Sequence, residues 1–114
     1  MEPVEIVKLA FRKKLKITVL KKLNGEDIYG KKLPITPKYP LVCELFDEGE
    51  EFIVEENGMM PEGFCPWAWD DLTRIIVHLQ LGGDFPWFKE KGVALACCTD
   101  AIRPVIFKLE RLEK

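Results

Sequence analysis

The chain has 114 residues, of which 47% are hydrophobic and 32% are charged, and its formal net charge is −2. This length is typical of one domain with a modest core, so we expect a single domain over residues 1–114. The uncharged apolar runs are far shorter than the roughly 20 residues that a membrane-spanning helix needs, so no membrane segment is expected. The first residues lack the basic start and apolar stretch of a signal peptide, which predicts a cytoplasmic protein.

The charges are distributed unevenly along the chain. Residues 1–38 hold ten Lys or Arg residues and four acids, whereas residues 39–62 hold eight acids and no basic residue. A basic front followed by an acidic belt can attract a nucleic acid or another copy of the same chain. The net acidity, and the lack of aromatic residues interleaved with the basic ones, argue against a nucleic-acid partner.

The first half of the chain predicts two strands and one helical turn. Residues 1–12 fit a helix and a strand equally well and are interpreted as an N-terminal extension. Apolar and polar residues alternate over 15–19, and this period of two predicts a half-buried strand. A single helical turn is predicted over 26–30, and a second strand over 52–55. Between them, prolines at every third position over 32–40 predict an extended connection, because proline fixes φ and lacks an N–H.

The strongest helical pattern runs over about residues 66–81. Cys65 stands at the N-cap position, and Pro66 suits the first helical position, where its missing N–H has no partner in any case. Gly82 and Gly83 end the helix, since glycine takes the left-handed conformation that a helix C-terminus often needs. Seven apolar residues at spacings of three and four form the predicted core face, namely Cys65, Ala68, Trp69, Leu72, Ile75, Ile76 and Leu79.

A second side of this helix is apolar as well. Trp67, Val77 and Leu81 cluster there, away from the predicted core face. A helix that is apolar on two sides is either covered twice or buried in an oligomer interface. We therefore predict a homo-oligomer that assembles through these three residues.

The last part of the chain predicts a hairpin of two strands. Residues 93–99 form a short run that is apolar on both faces, which is typical of a strand buried on both sides of a sheet. A last strand is predicted over 105–111, and the turn between the two indicates a hairpin. Strands before and after one principal helix favour an α+β domain, with a mainly antiparallel sheet of four to five strands and the helix packed on it.

Distinctive motifs lie in the second half of the chain, namely GFCPWAWD at 63–70, GGDFPW at 82–87, and CCTD at 97–100 before RPVIFKLE at 103–110. Together they resemble a family of small uncharacterised bacterial and archaeal proteins, and the resemblance covers most of residues 15–112. It implies a small stand-alone protein, and it carries over no activity, cofactor or catalytic residue. The chain departs from the family pattern at Ala101, where glycine is usual.

Four cysteines are the most suggestive chemical feature: Cys43, Cys65, Cys97 and Cys98. No two of them have the C-x-x-C spacing that is typical of zinc or iron–sulfur sites. Since Cys97 and Cys98 point to opposite faces of a strand, one metal ion can use Cys43, Cys65 and only one of that pair. Cysteine is also a small hydrophobe that is often buried, so a purely structural role is the alternative.

A reactive thiol at Cys65 is a sharper hypothesis. A helix N-terminus favours the thiolate and can hold an anionic substrate. The only histidine, His78, lies thirteen residues along the same helix, or about 20 Å away, so no Cys–His pair within one subunit is expected. Cys65 is thus a candidate for redox or anion-binding chemistry, and whether the protein is an enzyme is left open.

Large aromatic residues bracket the principal helix. Trp67, Trp69, Phe85 and Trp87 are candidates for the lining of an apolar pocket for a small planar ligand, although aromatic residues in such positions are also typical of a core. The leading hypothesis is a small homo-oligomeric binding or interaction module. The alternative is a redox- or metal-associated protein that uses the cysteine cluster around Cys65.

Overall fold

The computed structural model describes residues 12–112. Six elements follow one another: β1 (Leu15–Lys22), α1 (Gly25–Tyr29), β2 (Glu51–Val54), α2 (Pro66–Gln80), β3 (Val93–Cys97) and β4 (Val105–Arg111). The strands form one sheet in the order β2-β1-β4-β3, and every neighbouring pair is antiparallel. The predicted α+β domain, with a four-stranded antiparallel sheet and one main helix, is confirmed. The interpretation of residues 1–12 as an extension lies, except for Arg12, outside the described residues.

The core lies between the sheet and α2. In β1 every second residue from Leu15 to Val19 is fully buried, and the residues between them are partly exposed. β4 repeats this alternation from Val105 to Arg111, because a strand places successive side chains on opposite faces. The predicted core face of α2 is confirmed, with Ala68, Leu72, Ile76 and Leu79 buried and Cys65, Trp69 and Ile75 packed against the core.

A cluster of phenylalanines holds an irregular segment onto this core. Residues 30–50 contain no helix or strand. Phe46, which is 3% exposed, nevertheless stacks its ring centroid 5.7 Å from Phe52, 5.1 Å from Phe64 and 5.4 Å from Phe107. Aromatic pairs of this kind contribute about 0.5–1.5 kcal/mol each beyond the burial of their area. Phe46 therefore links the segment before β2 to β2, to β4 and to the residues that lead into α2.

The main helix begins and ends as the sequence predicts. Cys65 is the N-cap and Pro66 the first helical residue, and the Cys65 side chain makes no capping hydrogen bond. At the other end Gly82 has φ +97°, and the Gly83 N–H donates to the His78 carbonyl oxygen at 2.8 Å. This left-handed turn satisfies carbonyl groups that the last helical turn leaves without intrahelical partners.

A buried arginine caps the same end of α2. Arg111 is 6% exposed, and its Nη1 donates to the carbonyl oxygens of Leu79 at 3.0 Å and Gly83 at 2.8 Å. Its Nη2 donates to Asp84 Oδ1 at 2.9 Å, and the Gly92 N–H donates to the same oxygen. The Arg111 hydrogen bond holds the pKa of Asp84 below its ordinary value. The last strand is thus tied to the end of the helix.

A buried glutamine joins that end of the helix to β1 and β2. The Gln80 side chain donates from Nε2 to the carbonyl oxygens of Lys13 and Glu55, both at 2.9 Å. Its Oε1 accepts a hydrogen bond from Arg12 Nη1 at 3.0 Å. Gly58, at φ +73°, lies so close to the Arg12 guanidinium that an added Cβ would collide with it. The fully buried amide therefore has a partner for both of its polar atoms.

The prediction that the strand after residue 92 is buried on both faces is wrong. Within residues 12–112, β3 is an edge strand with β4 as its only neighbour in the sheet. Leu95 is 48% exposed, and Cys97 is exposed as well. The run lacks alternation because its outer residues Leu95 and Cys97 are apolar although they are exposed. The predicted hairpin with β4 is confirmed, since the two strands pair from Val93 opposite Glu110 to Cys97 opposite Ile106.

Within residues 12–112, α2 is the longest helix, and neither helix combines the length and apolar character needed to cross a bilayer.

Candidate functional site

A cavity of about 430 Å³ opens at the start of α2. Three parts of the chain enclose it: the first turn of α2, the segment that carries Phe46, and the loop from β3 to β4. The lining is mainly apolar, and the residues that form it are Cys43, Leu45, Phe46, Cys65, Trp67, Ala68, Cys98, Thr99, Asp100, Ala101, Arg103 and Val105. A cleft of this volume falls in the range of about 300–1,000 Å³ that small-molecule sites usually occupy.

Three of the four cysteines meet in this cavity. Cys65 is the N-cap of α2, Cys98 directly follows β3, and Cys43 lies in the irregular segment 30–50. All four cysteines are free thiols, and the Val105 N–H donates to the Cys98 sulfur at 3.4 Å. Cys43 and Cys98 therefore line the same cavity as Cys65.

Cys97 lies apart from the other three thiols. It is exposed and does not line the cavity. Burial of part of its side chain raises the pKa of the Cys97 thiol, and the nearby Cys98 and the Asp71 carboxylate add to this effect. Its thiolate is therefore disfavoured, which sets Cys97 apart from the reactive cysteines of enzymes, whose pKa is lowered. Among residues 12–112, no three His, Cys, Asp or Glu side chains are grouped so as to hold a metal ion.

A chain of hydrogen bonds forms one wall of the cavity. Trp67 Nε1 donates to Thr99 Oγ1 at 2.7 Å. The Thr99 hydroxyl in turn donates toward the Asp71 carboxylate at 3.0 Å, and the Thr99 N–H donates to Asp71 Oδ2 at 2.7 Å. This arrangement fixes the indole of Trp67 at the cavity mouth even though the residue is 64% exposed. It also joins the first turns of α2 to the end of β3.

The lining of the cavity also contains an ion pair between Asp100 and Arg103. Asp100 Oδ1 accepts hydrogen bonds from the N–H groups of Ile102 and Arg103, both at 3.0 Å, and Asp100 Oδ2 accepts one from Arg103 Nε at 3.1 Å. Burial opposes ionisation of this carboxyl group, but these bonds hold the pKa of Asp100 below its ordinary value. The turn that contains Ala101 is therefore closed by the Asp100 side chain. The same hydrogen bonds position the guanidinium of Arg103, which lines the cavity.

The four aromatic residues that were predicted to line one pocket lie in separate places. Of the four aromatic residues proposed for it, only Trp67 lines the cavity. Trp69 packs on the core, with its ring 6.2 Å from that of Phe64. Phe85 and Trp87 stack on each other at 5.2 Å beyond the opposite end of α2. A helix of fifteen residues is about 22 Å long, so the two aromatic groups bracket α2 without meeting.

The only histidine belongs to that second aromatic group. His78 lies in the last turn of α2, its ring centroid is 4.6 Å from that of Phe85, and its Nε2 is 3.0 Å from the Asp84 carbonyl oxygen. Cys65 lies at the first turn of the same helix. The predicted absence of a Cys65–His78 pair within one subunit therefore agrees with the placement of the two residues.

The residues predicted to form an oligomer interface have different surroundings. Leu81 is 55% exposed and Val77 is half-buried. Trp67 is exposed but is bound to Thr99 and lines the cavity, so its indole serves that site.

Sequence reasoning missed the polar members of the site, namely Asp71, Thr99 and Arg103. A signal for Arg103 was present, because an Asp three residues before an Arg within a short turn can bond both its N–H and its guanidinium. The contact of Thr99 with Asp71 had no local signal, since the two lie 28 residues apart. No protein-family model, curated protein or solved structure matches the chain.

Proposed function

We propose that the protein is a small binding module and that its ligand occupies the cavity at the start of α2. One observation carries this proposal. Three distant parts of the chain come together to form a mainly apolar cavity of about 430 Å³, and its lining includes a fixed indole and a guanidinium. Small-molecule sites usually combine a mainly apolar lining with a small number of polar groups that point to the same place. We make no assignment of catalytic residues.

The chemistry of the cavity favours one class of ligand. Leu45, which is 67% exposed, and Trp67 provide apolar contact area at the mouth. Arg103 offers N–H donors beyond the one that binds Asp100, and a guanidinium pairs well with a carboxylate or sulfonate. A compact, flat, mainly apolar molecule with one anionic group fits these features best.

The proposal can be tested with a fluorescent probe of this class, anilinonaphthalene sulfonate. We expect one probe molecule to bind each chain, and Trp67→Ala to weaken binding about tenfold because an aromatic contact and its hydrogen bond are lost. Trp87→Ala is the matched control, since Trp87 is similarly exposed, at 71%, and lies at the other end of α2. Equal affinities for Trp67→Ala and the parent protein would overturn the proposed site.

The thiols offer a second readout of the same site. Saturating probe should slow alkylation of Cys43, Cys65 and Cys98 by iodoacetamide, and it should leave the rate at Cys97 unchanged. The labelling is best done near pH 9, since the raised pKa of Cys97 delays its reaction at lower pH. Equal protection of all four cysteines would indicate a general change in the protein, and it would count against binding in the cavity.

A redox function is the second candidate, and the shared cavity of Cys43, Cys65 and Cys98 supports it. Thiols that line one cleft can be oxidised to a disulfide in pairs if their sulfur atoms approach within bonding distance. Protein purified without oxygen or added metal would be assayed for metal, visible absorption and free thiols. Four free thiols before and after mild oxidation, with no metal, would leave these cysteines as lining residues of a binding site.

Two further predictions of the sequence belong to this proposal. Free thiols in a chain with four cysteines suit the reducing cytoplasm, where we propose that the protein resides. We also propose homo-oligomers formed through Trp67, Val77 and Leu81, of which Leu81 is the most available for contact outside the cavity. Val77→Glu should dissociate such an assembly in light scattering, and an unchanged mass would rule this face out.

A further inference from the structure

In the part of the chain that the structure describes, no strand lies beside β3 on the side away from β4. Gly92 and Cys98 form backbone hydrogen bonds to β4 at the two ends of the strand, at 2.7 and 3.1 Å. Bonded and non-bonded pairs alternate along an antiparallel ladder, so Ala94 and Ala96 also direct their N–H and C=O groups to β4. The odd-numbered residues between Gly92 and Cys98 therefore direct these groups away from the sheet.

Two of these odd-numbered residues, Leu95 and Cys97, are exposed, and we call their positions open. Val93 is only 8% exposed, and beyond the other end of β3 the Thr99 N–H is bound to the Asp71 carboxylate at 2.7 Å. Between these closed ends, Leu95 is 48% exposed and Cys97 is exposed. Within residues 12–112, neither Leu95 nor Cys97 uses its backbone to bond any segment outside the sheet. The open edge is therefore the short segment 95–97.

The opposite edge of the sheet is protected by charge. β2 has four residues, and Glu50, Glu51, Glu55 and Glu56 lie within it or next to it. Acidic side chains at an edge discourage another copy of the same strand, because like charges would face each other. Residues 93–98 contain no charged side chain. The two edges therefore differ in their capacity for self-association.

We propose that the open edge 95–97 binds a second copy of this chain, which adds its own β3 in antiparallel orientation. The two-fold axis passes beside Ala96, so Leu95 of each copy lies opposite Cys97 of the other. Every open N–H on one copy then faces an open C=O on the other. Since both copies use the same surface, the contact closes as a dimer and does not propagate.

Two observations favour a second copy over an unrelated partner. The open positions match each other, because both contain an exposed apolar side chain with outward backbone groups. The turn before β3 holds Lys89, Glu90 and Lys91, whereas the Asp71 carboxylate lies at the strand's far end, bound to Thr99. Antiparallel pairing brings the net positive turn of each copy toward the carboxylate of the other, so the charges are complementary.

The first test compares one charged substitution at each edge. Leu95→Lys places a charge on the open edge, and Ile53→Lys does the same on β2, where Ile53 is 39% exposed. Sedimentation velocity over a concentration series should show a dimer of the parent protein, about tenfold weaker dimerisation of Leu95→Lys, and less than about twofold weakening for Ile53→Lys. A parent protein that stays monomeric up to about 1 mM would overturn the proposal, as would equal effects of the two variants.

The second test reports on the register of pairing. Residues in a bonded antiparallel pair have Cα atoms about 5.5 Å apart, within the range of about 4.4–6.8 Å that a disulfide spans. Leu95→Cys treated with diamide should therefore form a covalent dimer through Cys97 of the second copy, while the parent protein should not. The double variant Leu95→Cys with Cys97→Ser should not cross-link, and a dimer that persists there would contradict this register.

These measurements are independent of the cavity. Loss of probe binding in Trp67→Ala concerns the proposed function alone, and loss of the dimer in Leu95→Lys concerns the strand edge alone. Dissociation by Val77→Glu, with no effect of Leu95→Lys, would assign assembly to the helix face and overturn the role of β3.

Discussion

The two ends of α2 differ in their side-chain hydrogen bonding and in the free space around them. At the C-terminal end, Arg111 and Gln80 are buried, and the side chain of each makes three hydrogen bonds to other parts of the chain. At the N-terminal end, Cys65 makes no capping bond with its side chain, and the helix opens onto a cavity lined by thiols and an indole. Within residues 12–112, no buried side-chain nitrogen or oxygen atom lacks a partner.

The contrast suggests a division of roles along one helix. Buried polar groups with complete hydrogen bonding fix the geometry of their surroundings, because any other arrangement leaves a group without a partner. The C-terminal end therefore holds α2 in place, and the N-terminal end can retain free space and exposed aromatic area. Substitutions at the C-terminal end should therefore alter stability, and substitutions at the N-terminal end should mainly alter binding.

The largest effect is expected for Arg111→Met. This change leaves the carbonyl oxygens of Leu79 and Gly83 without their donor, and it leaves Asp84 without its cation. We expect the free energy of unfolding to fall by about 3 kcal/mol in urea denaturation. Arg103→Met is the control, since that partly exposed arginine pairs with Asp100, and its loss should cost about 1 kcal/mol. Equal losses would contradict the special role of the C-terminal end.

The next largest effect is expected for Gln80→Leu. The leucine fills a similar volume but removes the donor to Lys13 and Glu55 and the acceptor for Arg12. Leaving such buried groups without partners should lower the free energy of unfolding by about 2 kcal/mol. Hydrogen exchange should also show weaker protection at the start of β1. A variant as stable as the parent protein would mean that water replaces the amide at little cost.

A smaller effect is expected from acid. The folded-state pKa of Asp84 is depressed by Arg111, so its stabilising contribution is complete above the unfolded value of about 3.9. That contribution is lost as the pH falls through the depressed folded-state value. Stability measured from pH 6 downward should therefore decline below about pH 4, and Asp84→Asn should make this decline shallower. Arg111→Met should do the same, because it removes the cause of the shift.

The smallest effect on stability is expected for Trp67→Phe. This change removes the indole donor to Thr99 Oγ1 while it retains an aromatic ring at the cavity mouth. Since Trp67 is exposed, we expect a loss of at most about 1 kcal/mol in thermal unfolding. Probe binding should weaken more than stability does, because the orientation of the ring is no longer fixed. A large loss of stability would show that the N-terminal end is also structural.

The sequence could predict those parts of the molecule that depend on local signals. The helix over 66–80 was predictable because Pro66, two closing glycines and a regular apolar spacing are local signals. The strands β1 and β4 followed from alternation for the same reason. The buried state of Arg111 was not predictable, since an arginine at the end of a strand is usually exposed.

The candidate site was predictable only in part. Cys65 and Trp67 were identified because they lie at the start of a clearly marked helix. Their partners Cys98, Thr99 and Arg103 come from the hairpin, and nothing in the order of residues indicated that this loop reaches the helix N-terminus. The four aromatic residues predicted to share a pocket lie apart, because proximity in sequence to either end of α2 does not bring side chains together across its length.

The sequence by itself determined the local elements, because their periods and end signals depend on neighbours within a few residues. It also determined the α+β class, since strands flank one amphipathic helix. Only the tertiary structure decided that β3 lies at an edge, that Arg111 and Gln80 are buried, and that three thiols share one cavity. Each of these depends on contacts between residues far apart in the chain, and such contacts are set by how the layers pack.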